Sequence, residues 1–211
     1  MELFTSQGCP YSPRADEWLA AVAHNPGVVA VSFPVDYWDF IGWKDTLASP
    51  AFTARQKAYA AANRSWRAYT PQVIVDGIAA AAGGHEDEIE QAISKAKGRS
   101  GAMSVPMRLV KSSGHYSIEI GDGDNGPASV ILLTVARSAT VKIRRGENAG
   151  RSVTYTNVAR TMNKLGEWTG KSETFNLPDV PQDGRGFIVL MQEGTPEHPG
   201  AILAAAKSDG L

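Results

Sequence analysis

The chain has 211 residues, 43% of them hydrophobic and 20% charged, with a formal net charge of −1 and a single cysteine. That composition is ordinary for a globular protein long enough to bury a real core. It excludes a general electrostatic attraction to nucleic acid, an internal disulfide and a helical bilayer span, and the four scattered histidines lack metal-ligand spacing.

Leu3 and Phe4 open a strand, and Gly8 and Pro10 mark a sharp turn around Cys9. Ala15, Trp18, Leu19 and Val22 then recur at helical spacing over Ser12 to His24, and Asn25-Pro26-Gly27 stops the helix. Cys9 is thereby placed at a helix N-terminus, where free backbone N–H groups and the helix dipole favour a thiolate. Ser12 is close enough to donate a hydrogen bond to the sulfur, and Arg14 to add positive potential.

Val28 to Val35 reads as a buried strand parallel to the first. Asp36 to Ala48 carries Tyr37, Trp38, Phe40 and Trp43, either as a loop packing its own small core or as a wall beside Cys9. Ser49-Pro50 is an N-cap followed by proline at the first helical position, and the helix runs to Asn63. Arg55, Lys57, Arg64 and Arg67 read as its solvated face. Tyr69 to Gly77 is a strand opening on Pro71 and closing in an Asp-Gly hairpin, and Ile78 to Ala82 returns. After the Gly83-Gly84 turn, His85 to Lys97 forms a helix with acids first and bases last, as the dipole prefers, and Gly98 suits its C-terminal end.

Composition changes after a short linker, Arg99 to Ala102. Pro106 to Lys111, His115 to Ile120, Ala128 to Val135, Thr140 to Arg145, Phe187 to Gln192 and Ala201 to Ala206 are strand candidates spaced as in an antiparallel sandwich. Arg144 to Arg151 breaks the pattern: it is a polar turn with surface arginines, an anion site, or a clamp on the first half. Asp122 to Gly126 lacks the distal glutamate of a calcium loop and reads as a turn.

Cys9-Pro10-Tyr11-Ser12 resembles the active-site turn of thioredoxin-fold proteins and glutaredoxins, with Ser12 in place of the second cysteine. The run from Glu2 to Asp16 resembles the start of domain-of-unknown-function family 1223, with Pro13, Ala15 and Asp16 matching, and the segment from Arg144 through Gly170 resembles that family's second half. The resemblance implies an α/β thioredoxin-like domain over residues 1–100, with Thr70-Pro71 in cis against the cysteine, followed by a mainly antiparallel β-sandwich-like domain over 101–211.

For chemistry it implies Cys9, Ser12 and Pro71 as the catalytic set, and Thr70, Gln72, Gly84 and His85 as glutathione-binding elements; no metal or resident cofactor is expected. With one thiol, any exchange on protein disulfides or glutathione adducts needs an outside thiol such as glutathione to resolve the mixed disulfide. The enzyme reading is thus a monothiol thiol–disulfide oxidoreductase, and the alternative is a non-catalytic binding protein. No targeting signal is visible. The chain begins almost inside its first strand, so a trimmed upstream signal would place it in the cell envelope, and otherwise the cytoplasm is expected.

Overall fold

Strand β1 (Glu2–Thr5) is buried at every position, so both of its faces need cover, because successive side chains point to opposite sides. The computed structural model, which describes residues 1–64, 66–97, 99, 101–178 and 185–211, supplies both covers. Leu3 packs with Leu19 of helix α1 (Ser12–Ala23) and Ile89 of α3 (Glu86–Lys97). Phe4 packs with Phe52 and Tyr59 of α2 (Pro50–Ala62) on the other face. Ser49 caps α2 by accepting from the Ala51 amide at 3.3 Å, and Pro50 begins it, as expected. Gly98 lies outside the described residues.

Strand β2 (Val31–Pro34) lies parallel to β1, while β3 (Gln72–Val75) pairs antiparallel on its other side and turns back into β4 (Ala79–Ala82). Then follow β5 (Met107–Ser112), β6 (His115–Ile120), β7 (Ala128–Lys142), β8 (Ser152–Trp168), β9 (Glu173–Asn176), β10 (Arg185–Thr195) and β11 (His198–Lys207). One mixed sheet has the order β11-β10-β7-β8-β2-β1-β3-β4, and β5-β6-β9 form a second, smaller sheet.

This corrects the expected fold class. The chain is mostly sheet, and it is not an α/β thioredoxin-like unit followed by a separate β-sandwich-like one, because strands from both halves share one sheet. The join is at β2 and β8, where Ser32 pairs with Val158, Ser32 Oγ donates to the Thr156 carbonyl at 2.8 Å, and Asn157 Nδ2 donates to the Ala30 carbonyl at 3.0 Å. The two strands expected over Ala128 to Val135 and Thr140 to Arg145 are one 15-residue strand, since Arg137-Ser138 carries no glycine or proline to force a turn. Strands β8 and β9 were not anticipated.

The sheet curls around α2. Leu133 and Val135 of β7, Ile188 and Leu190 of β10 and Ile202 of β11 join Phe4, Phe33 and Tyr59 in one core. The alternate residues of β7 and β10, including Val130, Leu132, Val189 and Met191, pack instead with Ile118 and Ile120 of the small sheet. The curl brings β11 back to the β3–β4 turn, where the Ile202 amide donates to the Asp76 carbonyl at 2.9 Å. Gly77 permits this approach: its φ is +74°, and a Cβ there would lie 2.3 Å from the Gly200 carbonyl oxygen.

A second correction concerns Arg55, which lies inside the curl and not on a solvated face. It is 6% exposed. Its Nε and Nη2 donate to the two Glu2 carboxylate oxygens at 2.6 and 2.9 Å, and Nη2 also donates to Tyr59 Oη and Gln192 Oε1, each at 3.0 Å. Glu2 on the buried strand demands a cation, and α2 presents one. Burial pulls the Arg55 guanidinium down, but the adjacent carboxylate outweighs it and the net displacement is upward. Arg55→Ala strands the carboxylate and is expected to lower unfolding stability by about 3–5 kcal/mol. Replacing both partners, Glu2→Gln with Arg55→Met, recovers most of that loss; urea denaturation of the two variants checks the ordering.

Candidate functional site

The turn after β1 is closed by its own short side chains. Gly8 N donates to Ser6 Oγ at 3.1 Å, Ser6 N to Ser12 Oγ at 3.3 Å, Cys9 N to the Ser6 carbonyl at 3.1 Å and Ser12 N to the Cys9 carbonyl at 3.2 Å. Serine hydroxyls in such a turn compete well for backbone groups. Cys9 stands one turn before α1, as expected, but it is fully buried, and its S–H donates to the Thr70 carbonyl at 3.3 Å. Ser12 is buried and engaged by the Ser6 amide instead of the sulfur, and Arg14 is exposed.

The Thr70–Pro71 peptide bond is cis and borders the sulfur through the Thr70 carbonyl. Gly83 backs onto this corner: a Cβ there would lie 2.9 Å from Pro71 Cβ and 3.0 Å from Ala15 Cβ. The remaining predicted residues do not converge on the thiol. Gln72 is buried, its carboxamide held by Gln56 at 2.8 Å and the Arg67 carbonyl at 3.0 Å. Gly84 and His85 precede α3, where His85 is exposed and pairs with Glu88 at 3.4 Å. Glu86, Asp87 and Glu88 fill the first turn of α3, so the helix end that attracts an anion already faces three carboxylates.

Three elements outside the turn hold it. The first is the aromatic segment, which forms a wall with a single 3-10 turn at Asp39–Ile41. Trp38 Nε1 donates to Thr70 Oγ1 at 2.7 Å, and Trp43 Nε1 to Gln7 Oε1 at 2.8 Å. The second is Asp45, which accepts from Gln7 N at 2.8 Å through Oδ2 and from the Leu47 and Ala48 amides through Oδ1. The third is Asn148, in the loop between β7 and β8. It is 1% exposed, and its Nδ2 donates to the Gln7 carbonyl at 3.0 Å and the Cys9 carbonyl at 2.8 Å. Two of the readings of the Arg144 to Arg151 segment hold together: Arg144, Arg145 and Arg151 are exposed, as in a polar turn with surface arginines, and Asn148 clamps the turn of the first half.

Beneath the turn, Asp16 of α1 is buried. Its Oδ2 accepts from Thr5 Oγ1 at 3.1 Å, and its Oδ1 has no partner among the described residues. Burial pushes its carboxyl well above the usual range, with the nearby Asp45 and Glu17 charges adding to the effect. Burial also raises Asp45, and it raises Tyr37 to about 12. Asp45 is not named in the sequence reading, and Asn148 enters it only as part of the Arg144 to Arg151 segment. Asp16 left a legible signal, an acid at helical spacing with the buried Leu19 and Ala23. Asn148 lies in the polar break that the Arg144 to Arg151 segment makes in the strand pattern, but nothing in the residues names Cys9, 139 residues away, as its partner.

Among the described residues no cluster of histidine, cysteine and acidic side chains could hold a metal ion, and no helix is long and apolar enough to cross a membrane. A family profile described as "Protein of unknown function (DUF1223)" matches residues 1–192. The crystal structure of protein AGR_C_4864 from Agrobacterium tumefaciens is similar with a TM-score of 0.85 at 31% identity, over 100% of this chain and 93% of that one. A protein described as "Probable Thioredoxin" from Archaeoglobus fulgidus is 47% identical over 36 residues, which are 17% of this chain and 40% of that protein.

Two outcomes follow. Asn148→Ala leaves two turn carbonyls without their donor and is expected to lower stability by about 1–3 kcal/mol while speeding alkylation of Cys9; urea melts and mass-spectrometric thiol labelling read both. For Asp16, the unfolded carboxyl titrates near 4 and the folded one higher. The folded state therefore keeps a proton that the unfolded state loses, and stability falls as pH rises from about 4 to the folded value. Asp16→Asn should stabilise the protein at neutral pH and give no gain near pH 3, measured by urea melts across pH.

Proposed function

The chain belongs to the DUF1223 family, and on that footing we propose that it is a binding protein in which Cys9 is a shielded structural thiol and the surface around it recognises a partner protein. The observation that carries this reading is the sulfur itself: fully buried, engaged by the Thr70 carbonyl, with no second thiol in the chain. A nucleophile must reach its target, and a buried thiol held as a donor does not. Three aromatic side chains in the segments that meet at Cys9 remain open to solvent: Tyr11 at 73%, Phe40 at 84% and Tyr69 at 40%. They belong to the turn, the aromatic wall and the residue before Thr70. Tyrosine and phenylalanine offer large contact area for little lost side-chain freedom, which is why such residues anchor protein interfaces.

A second reading keeps Cys9 as a monothiol of thioredoxin-like type. What favours it is the position of Cys9 before α1 and the short likeness to a probable thioredoxin. The sulfur would attack a disulfide, release one thiol and hold the other as a mixed disulfide until glutathione or another outside thiol displaced it. This needs the Asp36 to Ala48 wall or the Asn148 loop to open.

Iodoacetamide labelling separates the two. If Cys9 is structural, native protein reacts roughly 100-fold or more slowly than protein in urea, as for a group reached only by local opening, and glutathione disulfide leaves the protein mass unchanged. Fast native labelling together with a one-to-one glutathione adduct would overturn the binding reading in favour of the second.

A further inference from the structure

The loop between β7 and β8 is fixed at its base and on both flanks. Ile143 N donates to the Arg151 carbonyl and Gly150 N to the Ile143 carbonyl, each at 2.9 Å, which closes the base. Gly146, at φ +78°, lies against the aromatic wall: a Cβ there would be 3.4 Å from Trp43 Cβ and 3.8 Å from the Ile41 carbonyl oxygen. Asn148 holds the Gln7 and Cys9 carbonyls. The loop therefore stands in one position beside the wall and the Cys9 turn.

Its charge is one-sided. Between Lys142 and Arg151 there are four cations, Lys142, Arg144, Arg145 and Arg151, and one acid, Glu147, in a chain whose net charge is −1. All four cations are exposed and have no ion-pair partner among the described residues. The closed base sets Arg144 and Arg151 beside one bonded pair, so their charges are neighbours. The elements next to the loop do not offset this surplus. The wall offers exposed Lys44 and half-buried Asp39, whose Oδ1 accepts from the Asp45 amide at 2.9 Å, and α1 offers exposed Arg14 and Glu17. Asp16 and Asp45 are buried.

Apolar surface adjoins the same loop. Tyr11 and Phe40 are the most exposed large hydrophobic side chains among the described residues. Tyr11 is two residues from Cys9, whose carbonyl Asn148 holds, and Phe40 precedes Ile41, whose carbonyl faces Gly146.

We propose that the partner recognised at this surface presents an acidic segment, its carboxylates on Arg144, Arg145 and Arg151 and an apolar side chain on Tyr11 and Phe40. This rests on the reading of the chain as a binding protein and names the chemistry of its partner. A guanidinium takes a carboxylate through two parallel N–H bonds, and arginine and tyrosine are enriched at the centres of protein interfaces. A loop already held in place loses little freedom on binding. A membrane surface fits less well. It calls on tryptophans at the interface, and Trp38 and Trp43 are half-buried with their indole N–H groups engaged by Thr70 and Gln7.

The test is fluorescence anisotropy of the full chain with a short labelled peptide of glutamates around a Leu-Phe pair, and with its lysine counterpart. Saturable binding of the glutamate peptide is expected, roughly tenfold or more tighter than the lysine one and weakening as salt rises. Arg144→Glu with Arg145→Glu should lower its affinity roughly tenfold or more, and Phe40→Ser severalfold. Arg144→Gln with Arg145→Gln shows a smaller loss in the same direction if the double reversal does not fold. Arg160→Glu with Lys171→Glu makes the same charge change at exposed positions on β8 and just after it, and should leave binding unchanged. An equal loss in that control pair, or equal affinity for the two peptides, would overturn the proposal. So would binding to phosphatidylglycerol vesicles with none to the peptide, in favour of a membrane surface. Absent peptide binding with slow iodoacetamide labelling of Cys9 overturns this inference alone, whereas fast labelling with a glutathione adduct overturns the reading beneath it.

Discussion

The ion pair between Glu2 and Arg55 sits where the structure is most constrained. Glu2 belongs to β1, between β2 and β3 in the sheet, Arg55 to the helix enclosed by the curled sheet, and Gln192, which completes the cluster, to β10 near the far edge. A buried ion pair is weak evidence of net stability, because desolvation of both ions offsets most of their attraction. Its effect is on which arrangement is allowed. A docking of α2 that rotates Arg55 away, or a curl that moves β10 off β1, leaves a charge or amide unsatisfied in an apolar core. The carboxylate also accepts from Tyr59 Oη at 2.7 Å, and Gln192 Nε2 donates to that same Oη at 2.7 Å, so the cluster links α2, β1 and β10.

That same curl fixes the surroundings of Cys9. With β8 joined to β2, the loop that follows β7 reaches the turn after β1, and Asn148 fills its carbonyl acceptors. Ile143, Tyr155 and Val158 pack with Trp43 and Leu47 beneath the aromatic wall, so the wall and the loop are anchored in one core cluster. The sulfur is therefore enclosed by chain from both halves of the molecule. The same exclusion of water pushes the Asp16 carboxyl below it toward its neutral form, so the site holds a buried acid as well as a buried thiol.

The burial of Arg55 also fixes which side of α2 faces outward. Helix α2 must be inside the curl along Phe52, Arg55 and Tyr59, and its opposite side, with Ala54 and Lys57, must then be the outer one.

What the sequence alone determined is local. Proline after Ser49, the Asn25-Pro26-Gly27 stop, the Asp-Gly hairpin and the spacing of Ile89, Ala92 and Ala96 placed three helices and the first four strands close to where they lie, because capping, turn chemistry and periodicity act within a few residues. The turn around Cys9 was legible for the same reason. Tertiary structure alone decided that both halves share one sheet, that Arg55 is buried, and that Asn148 closes over the cysteine. Each depends on partners 53 to 139 residues away, and long-range pairing is set by which surfaces can bury each other, a choice that leaves no periodic trace in the residues that make it.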